Sequence, residues 1–218
     1  MTTSREAKEP VAAELWLTIP WEDYESHMDH ESVGQLGFLR EVFAEALTDH
    51  RPESVVVAGC ATGNGFDRID PGVTRRVIGV DVNPEYLRVA RKRYADSIED
   101  LDLRCSELSA CEIEAGSIDL VHAALILEYV DPREVIERMA GWLRPGGTLV
   151  IVLQCPAASN VSHTEIESVR CLEGSIHLID PAAVEELAEK AGLRLQRSRR
   201  IVLPAGKPFV IAEYTKPA

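Results

Sequence analysis

The chain has 218 residues, 45% of them hydrophobic, with 36 acidic against 23 basic side chains and a formal net charge of −13. The negative balance disfavours a protein whose main partner is the phosphate backbone of nucleic acid, because nothing would drive counterion release. The hydrophobic share excludes wholesale disorder, and the length suits one domain with an added segment. The five cysteines (Cys60, Cys105, Cys111, Cys155, Cys171) are scattered, with no C-x-x-C pair. They read as free thiols, not as a zinc site or a disulfide framework. The charged start, Met1 to Pro10, has no apolar h-region, and no apolar run approaches the ~18 residues of a membrane span. The expectation is a soluble, cytoplasmic protein with no membrane contact.

In chain order, residues 1–10 read as a mobile terminus. Residues 11–34 mix aromatics with charge (Trp16, Trp21, Tyr24, His27, His30) and show no clean period. His27 and His30, with Asp29, lack a third ligand at a recognisable spacing, so no metal is expected. Leu36, Leu39, Phe43, Ala46 and Leu47 then form one apolar stripe of a helix. After Pro52 short apolar runs alternate with helical stretches. The runs are Val55–Ala58, Val77–Val80, a weaker Leu101–Leu103, Ile118–Val121 and Thr148–Val152. Continuous apolar runs suit strands buried on both faces, and the alternation predicts a parallel sheet with right-handed crossovers.

Asn83-Pro84, Asp131-Pro132 and Asp180-Pro181 each place an N-cap acceptor before a proline at the first helical position. Gly192 sits where the last of these helices would end. Cys155–Ile179 is longer than an ordinary connection of about 2–6 residues and predicts an acceptor-site insertion, either a functional segment or an inserted helix over Ser162–Leu172. It offers Asn160, His163 and His177. Leu193–Leu203 and Phe209–Tyr214, joined by a short turn, predict an antiparallel hairpin. The fold class is therefore α/β: a doubly wound, mostly parallel sheet ending in an antiparallel hairpin.

In such a sheet ligands bind at the carboxyl ends of the strands, near the switch point. The turn after the first run reads Gly59-Cys-Ala-Thr-Gly63-Asn64-Gly65, and glycines there let the backbone approach a ligand. Asp81 ends the second run, where an acid can accept both hydroxyls of a ribose. Its alternative is a plain carboxylate at the start of a helix. The glycine spacing does not fit G-x-G-x-x-G, which argues against a nicotinamide oxidoreductase.

Val56–Gly65 resembles the first motif of class I S-adenosylmethionine (SAM)-dependent methyltransferases, and Val80–Leu87 resembles the second. Ser117–Val121 with Leu127–Asp131 resembles the fourth-strand motif, and Leu143–Val150 the loop and strand that follow. The resemblance covers residues 52–153 and implies a seven-stranded three-layer sandwich, SAM as cofactor, and methyl transfer to a small-molecule acceptor. It implies cofactor contacts at Gly59, Ala61, Gly63 and Asn64, at Asp81 and Val82, at Glu107 and Leu108 beside the adenine, and at Ala123. It also implies that an N-terminal segment, residues 1–34, carries a lid, with Tyr24 as the contact, on a single domain over 35–218. Glu107 reads alternatively as a solvated loop glutamate, and Tyr24 as a surface aromatic.

The chain departs from the family pattern at Val57, where an acid is common, and at Ala61, in place of the middle glycine. These departures keep open a SAM-binding or SAM-fold protein without catalysis. Methyl transfer from a sulfonium needs no acid, and needs a base only for a hydroxyl or a protonated amine. No catalytic residue is assigned from the sequence. His122 reads either as a base or as a core histidine, and Tyr129 as a pocket wall or as helix-start packing. The run Arg194, Arg197, Arg199, Arg200 reads as the solvated side of a strand, with an anionic acceptor as the lesser alternative. The oligomeric state, monomer or homodimer, stays open.

Overall fold

The computed structural model describes residues 12–156, 161–162, 164–204 and 206–218. Seven strands form one sheet: β1 (Ser54–Ala58), β2 (Arg76–Asp81), β3 (Asp100–Cys105), β4 (Ile118–Ala124), β5 (Leu143–Gln154), β6 (Arg194–Val202) and β7 (Pro208–Thr215). Their order is β3-β2-β1-β4-β5-β7-β6. The first five run parallel, and β7 pairs antiparallel with both β5 and β6. The expected terminal hairpin is thus present. The direction of winding reverses between β1 and β4, so a crevice opens beyond their carboxyl ends.

The helices are α1 (Ala12–Trp16), α2 (Trp21–Asp29), α3 (Gln35–His50), α4 (Pro84–Tyr94), α5 (Pro132–Trp142) and α6 (Pro181–Lys190). Successive strand residues face opposite layers. Val56, Ile78, Val121 and Ile151 pack with Val135, Ile136 and Met139 of α5 and Val184 of α6. Val55, Val57, Val77, Leu120 and Val150 pack with Leu39, Phe43 and Leu47 of α3 and Leu87 of α4. The result is a three-layer sandwich.

The expected caps form. The Asn83 side chain accepts from the N–H groups of Glu85 and Tyr86, Asp131 from those of Arg133 and Glu134, and Asp180 from that of Ala182. Each such cap stabilises its helix by about 1 kcal/mol. Gly192, at φ +83°, turns the chain out of α6 as a C′ glycine does.

Four expectations change. Residues 11–34 hold α1 and α2, which are too short for a readable period. The chain after β1 makes only a 3-10 turn, Phe66–Arg68. Gly63, Gly65, Pro71 and Gly72 crowd that stretch and oppose a longer helix. The expected helix over Ser162–Leu172 is a 3-10 segment confined to Glu167–Leu172. Finally, β4 runs on through His122, Ala123 and Ala124, so His122 lies inside the strand rather than after it. Parallel pairing with β1 and β5 carries these residues despite their modest strand propensity.

The basic strand β6 faces acids. Arg197 pairs with Asp49 of α3 at 2.5 Å and with Glu213 of β7 at 2.7 Å, and Arg199 pairs with Glu45. None of Arg194, Arg197, Arg199 and Arg200 lines the main cavity described below. Among the described residues no helix is long and apolar enough to cross a membrane. The expectation for residues 1–10 lies outside the described residues.

Candidate functional site

The turn after β1 is held from below. The Val80 carbonyl accepts from the N–H of Gly59 at 2.9 Å and of Cys60 at 3.0 Å. Gly59 has φ +71°, and a Cβ there would stand 3.1 Å from Cδ1 of Ile126. Glycine is therefore required both by conformation and by space. Ala61 adopts φ +44°, a left-handed conformation in an L-residue. What holds it is Asp81, whose Oδ2 accepts the Ala61 N–H at 2.9 Å while Oδ1 accepts the Asn83 N–H, also at 2.9 Å.

Burial pushes the Asp81 carboxyl up to about 6, against the pull of these backbone donors. A carboxylate offers about four lone-pair sites. Ala61 and Asn83 take two, the Val82 N–H also bonds the carboxyl, and Asp81 lines the cavity. Because left-handed φ costs an L-residue about 1–2 kcal/mol, Ala61→Gly should raise stability. After the extra chain entropy of glycine, the net gain is up to about 1 kcal/mol, a thermal midpoint higher by about 2–4 °C. A lower midpoint would contradict the strain.

One cavity of about 500 Å³ spans the carboxyl edge of the sheet. Below β1, β2 and β3 its wall is Gly59, Ala61, Asp81, Val82, Glu107 and Leu108. Beyond β4 and β5 its wall is Trp16, Tyr24, Glu128, Tyr129, Gln154 and His177, with Val161, Val169, Leu172 and Lys207. Seven of the ten residues expected to contact a cofactor thus share one space: Tyr24, Gly59, Ala61, Asp81, Val82, Glu107 and Leu108. Glu107 is exposed and Leu108 is 5% exposed.

Gly63, Asn64 and Ala123 do not line that space. A Cβ on Gly63 would meet the Tyr94 ring at 2.8 Å, so this glycine makes room for packing. Asn64 donates from Nδ2 to the Leu36 carbonyl at 2.9 Å and faces a second cleft beside Arg40 and Asp67. Ala123 is fully buried in the α5 layer, and it is Ala124, on the opposite face of β4, that reaches the cavity.

The N-terminal helices close over the crevice. Tyr24 stacks on Tyr86 with centroids 5.4 Å apart and meets Trp16 edge-on at 5.9 Å. Trp16 meets Tyr129 edge-on at 5.1 Å. Burial, with Asp81 nearby, raises the Tyr24 phenol well above its usual range, so it stays protonated. Glu25 of α2 accepts from the Thr62 hydroxyl in the turn and from Arg93 of α4. Burial alone would raise its pKa; the bonds from Arg93 and Thr62 outweigh that and lower it.

The far side is tied to the segment after β5. His27 Nδ1 lies 2.9 Å from the Thr164 hydroxyl, and Ser168 donates to Asp23 at 2.7 Å. Val161, Val169 and Leu172 pack with Ile19, Trp16, Tyr24 and Tyr129. The His177 N–H donates to the Glu128 carbonyl at 2.9 Å. Asn160 and His163 lie outside the described residues. His27 and His30 do not converge: burial draws His27 down to about 4, whereas His30 is exposed and bonded to Ser32. Among the described residues no group of three metal-binding side chains gathers.

His122 is 4% exposed and faces Phe43 of α3 at 4.9 Å, away from the cavity. Its Nδ1 has no hydrogen-bond partner among the described residues, and burial draws its pKa down from 6.5 to about 4. It is a core histidine held neutral. A folded pKa below the unfolded one means that its stability contribution is complete above pH 6.5 and is lost as pH falls toward 4. His122→Leu should therefore stabilise the fold by about 1 kcal/mol at neutral pH by removing an unsatisfied polar atom. The gain should be larger at pH 5 and should leave ligand binding unchanged; denaturant titrations at both pH values check it.

Glu128 is the residue that sequence reasoning passed over. It sits in the 3-10 turn Leu127–Tyr129 directly after β4 and is 2% exposed. Its Oε1 accepts the Gln154 N–H at 2.8 Å, and its Oε2 has no partner among the described residues. Burial raises its pKa to about 7.

Residues 56–151 match the methyltransferase domain family. A ubiquinone biosynthesis O-methyltransferase of Xanthomonas axonopodis pv. citri is 29% identical over 170 residues, covering 72% of this chain and 70% of the relative. Of three other curated relatives the chain spans 33%, 48% and 54% of the length. Among solved structures, the [4+2]-cyclase SpnF aligns over 96% of this chain and 98% of its own, with TM-score 0.73 and 14% identity. The N-methyltransferase NodS of Bradyrhizobium japonicum, in complex with S-adenosyl-L-homocysteine (SAH), aligns over 91% and 98%, with TM-score 0.66 and 17% identity. The strand order and the turn held by Asp81 thus accompany a match of residues 56–151 to the methyltransferase domain family.

Proposed function

We propose that the chain transfers the methyl group of SAM to a small-molecule acceptor by in-line displacement. The observation that carries this reading is one continuous cavity, with Asp81 at one end and an aromatic wall at the other. The residues present fit the cofactor. Asp81 keeps acceptor capacity beside its backbone donors for a ribose hydroxyl, Glu107 and the Leu108 N–H suit the edge of an adenine, and Gly59 lines the same space. Val82 and Ala61 complete that end, and Tyr24 covers it.

The cofactor supplies a methyl on an activated sulfonium, whose leaving group departs as a neutral thioether. The chain's part is to hold, align and exclude water; alignment alone is worth about 7–11 kcal/mol of barrier. The segment before α3 serves as lid, and 155–179 as acceptor wall, on one domain over 35–218. A net charge of −13 supports a neutral or cationic small acceptor over nucleic acid. The relative named for ubiquinone biosynthesis O-methylation supports the small-molecule reading. Free cysteines, with Cys105 and Cys171 exposed, fit a reducing cytoplasm.

Methyl-labelled SAM incubated with the protein and a cell-extract metabolite fraction should yield a labelled small molecule and SAH. Binding of SAM with no labelled product from any fraction would favour the second reading, a SAM-fold protein with another role. Val57 in place of the family's acid, and the likeness in fold to the [4+2]-cyclase SpnF, favour that second reading.

A further inference from the structure

We propose that Glu128 receives the proton of the methyl acceptor, and that the acceptor is an apolar or aromatic molecule whose nucleophile is an amine N–H or a hydroxyl. This rests on the methyl-transfer reading above. Two residues of the cavity wall each carry a buried polar atom with no hydrogen-bond partner among the described residues: Oε2 of Glu128 and Nε1 of Trp16. One accepts and the other donates. A buried polar atom left unsatisfied is costly, so a pair of them on one cavity wall points to a ligand that bonds both.

Position narrows that ligand. Glu128 stands in the short turn beyond the end of β4, and Gln154 ends β5, across the crevice from Asp81, which ends β2. The Gln154 N–H fixes Oε1, so Oε2 is held in one orientation rather than swinging with a free side chain. Trp16, Tyr24 and Tyr129 surround that end with ring faces and edges. Rings favour an apolar or aromatic body and also the positive end of an amine.

The step balances. The lone pair of the acceptor's nitrogen or oxygen forms a bond to the methyl carbon as the carbon–sulfur bond breaks, its electrons staying on sulfur. The proton of that N–H or O–H passes to Oε2, leaving Glu128 as a neutral carboxylic acid. It is then lost to solvent when the product leaves.

Several titratable groups among the described residues surround Glu128. Tyr129 adjoins it, Tyr24 and Cys171 stand near Tyr129, Cys155 follows Gln154 at the end of β5, and His177 comes from the segment beyond. Asp131 and Glu134 at the start of α5, His27 of α2 and Lys207 line the same cavity. Burial dominates the carboxyl, which titrates near 7 in the fold against roughly 4.3 unfolded. The folded state therefore gains stability as pH falls through 7 toward the unfolded value.

Glu128→Gln tests the proposal, because glutamine keeps the shape and an oxygen for the Gln154 N–H. In paired unfolding titrations, wild type should gain stability relative to E128Q as pH falls from 8 to 5. With SAH bound, calorimetry with benzylamine and with catechol separates the amine from the hydroxyl. At least one should bind wild type, and E128Q should bind it tenfold or more weakly. With SAM, single-turnover methylation of that probe should slow by about 10²–10⁴-fold in E128Q, with SAH affinity unchanged within twofold.

Equal methylation rates, a pH-independent stability difference, or binding of neither probe would overturn the proposal. Carboxylate-dependent probe binding without methyl transfer would uphold the site and its ligand class, but overturn the methyl-transfer reading and the proton-acceptor role with it. Methyl transfer indifferent to Glu128 would do the reverse.

Discussion

Asp81→Ala should weaken the binding of SAM and SAH by about 100-fold, about 3 kcal/mol, the loss of charged hydrogen bonds to a ribose. The same change removes the acceptor for the N–H groups of Ala61 and Asn83. The left-handed turn at Ala61 would then lose its anchor, so binding should fall more than ribose contacts alone predict. Asp81→Asn separates the two effects. Its single oxygen can serve one backbone donor, while its NH₂ group opposes the other. Calorimetry on both variants checks this, with circular dichroism to show the sheet intact. Wild-type affinity should also fall as pH drops from 7 to 5, because the Asp81 carboxyl titrates at about 6. Unchanged affinity in Asp81→Ala would remove Asp81 from the site.

Tyr24→Ala should open the lid. The side chain stacks on Tyr86 of α4, meets Trp16 of α1 and packs beside Val169 and Leu172 of the segment after β5. Its loss removes roughly 2 kcal/mol of packing at a half-buried site. The Glu25 bridge to Thr62 and Arg93 remains, so α2 should stay attached while α1 loosens. The expected signs are faster proteolysis before Trp21 and a tenfold or greater rise in the SAM dissociation rate. Tyr24→Phe should behave as wild type, because the ring and not the hydroxyl makes these contacts. A proteolysis pattern identical to wild type in Tyr24→Ala would show that the segment is not a lid.

The sheet was legible because its strands are unbroken Val and Ile runs, and its helices because Asn83, Asp131 and Asp180 stand before prolines. These signals are local, and tertiary packing agrees with them. The two helices α1 and α2 were not legible, since 5 and 9 residues hold too few turns to show a period. Asp81 could be placed because a strand end is readable. Gly63, Asn64 and Ala123 were expected in the site from the family resemblance, and a matched motif does not say which side of a turn or strand a residue faces. Ala123 and Ala124 differ only in that respect.

Glu128 was missed for a related reason. A glutamate between Leu127 and Tyr129 reads as an ordinary helix-start acid, and only the fold shows it at 2% exposure with one oxygen unbonded. The pair Asp119 and Arg144, which ties β4 to the start of β5 and to Ser54, shows the opposite case, a buried-edge acid fully bonded and structural. Bonding, and not residue type, separates the two.

The most direct measurement is a crystal structure of the chain with SAH. The account predicts the ribose hydroxyls on Asp81, the adenine beside Glu107 and Leu108, and the sulfur directed toward the end of the cavity that holds Glu128. SAH bound with its ribose away from Asp81, or outside this cavity, would contradict it.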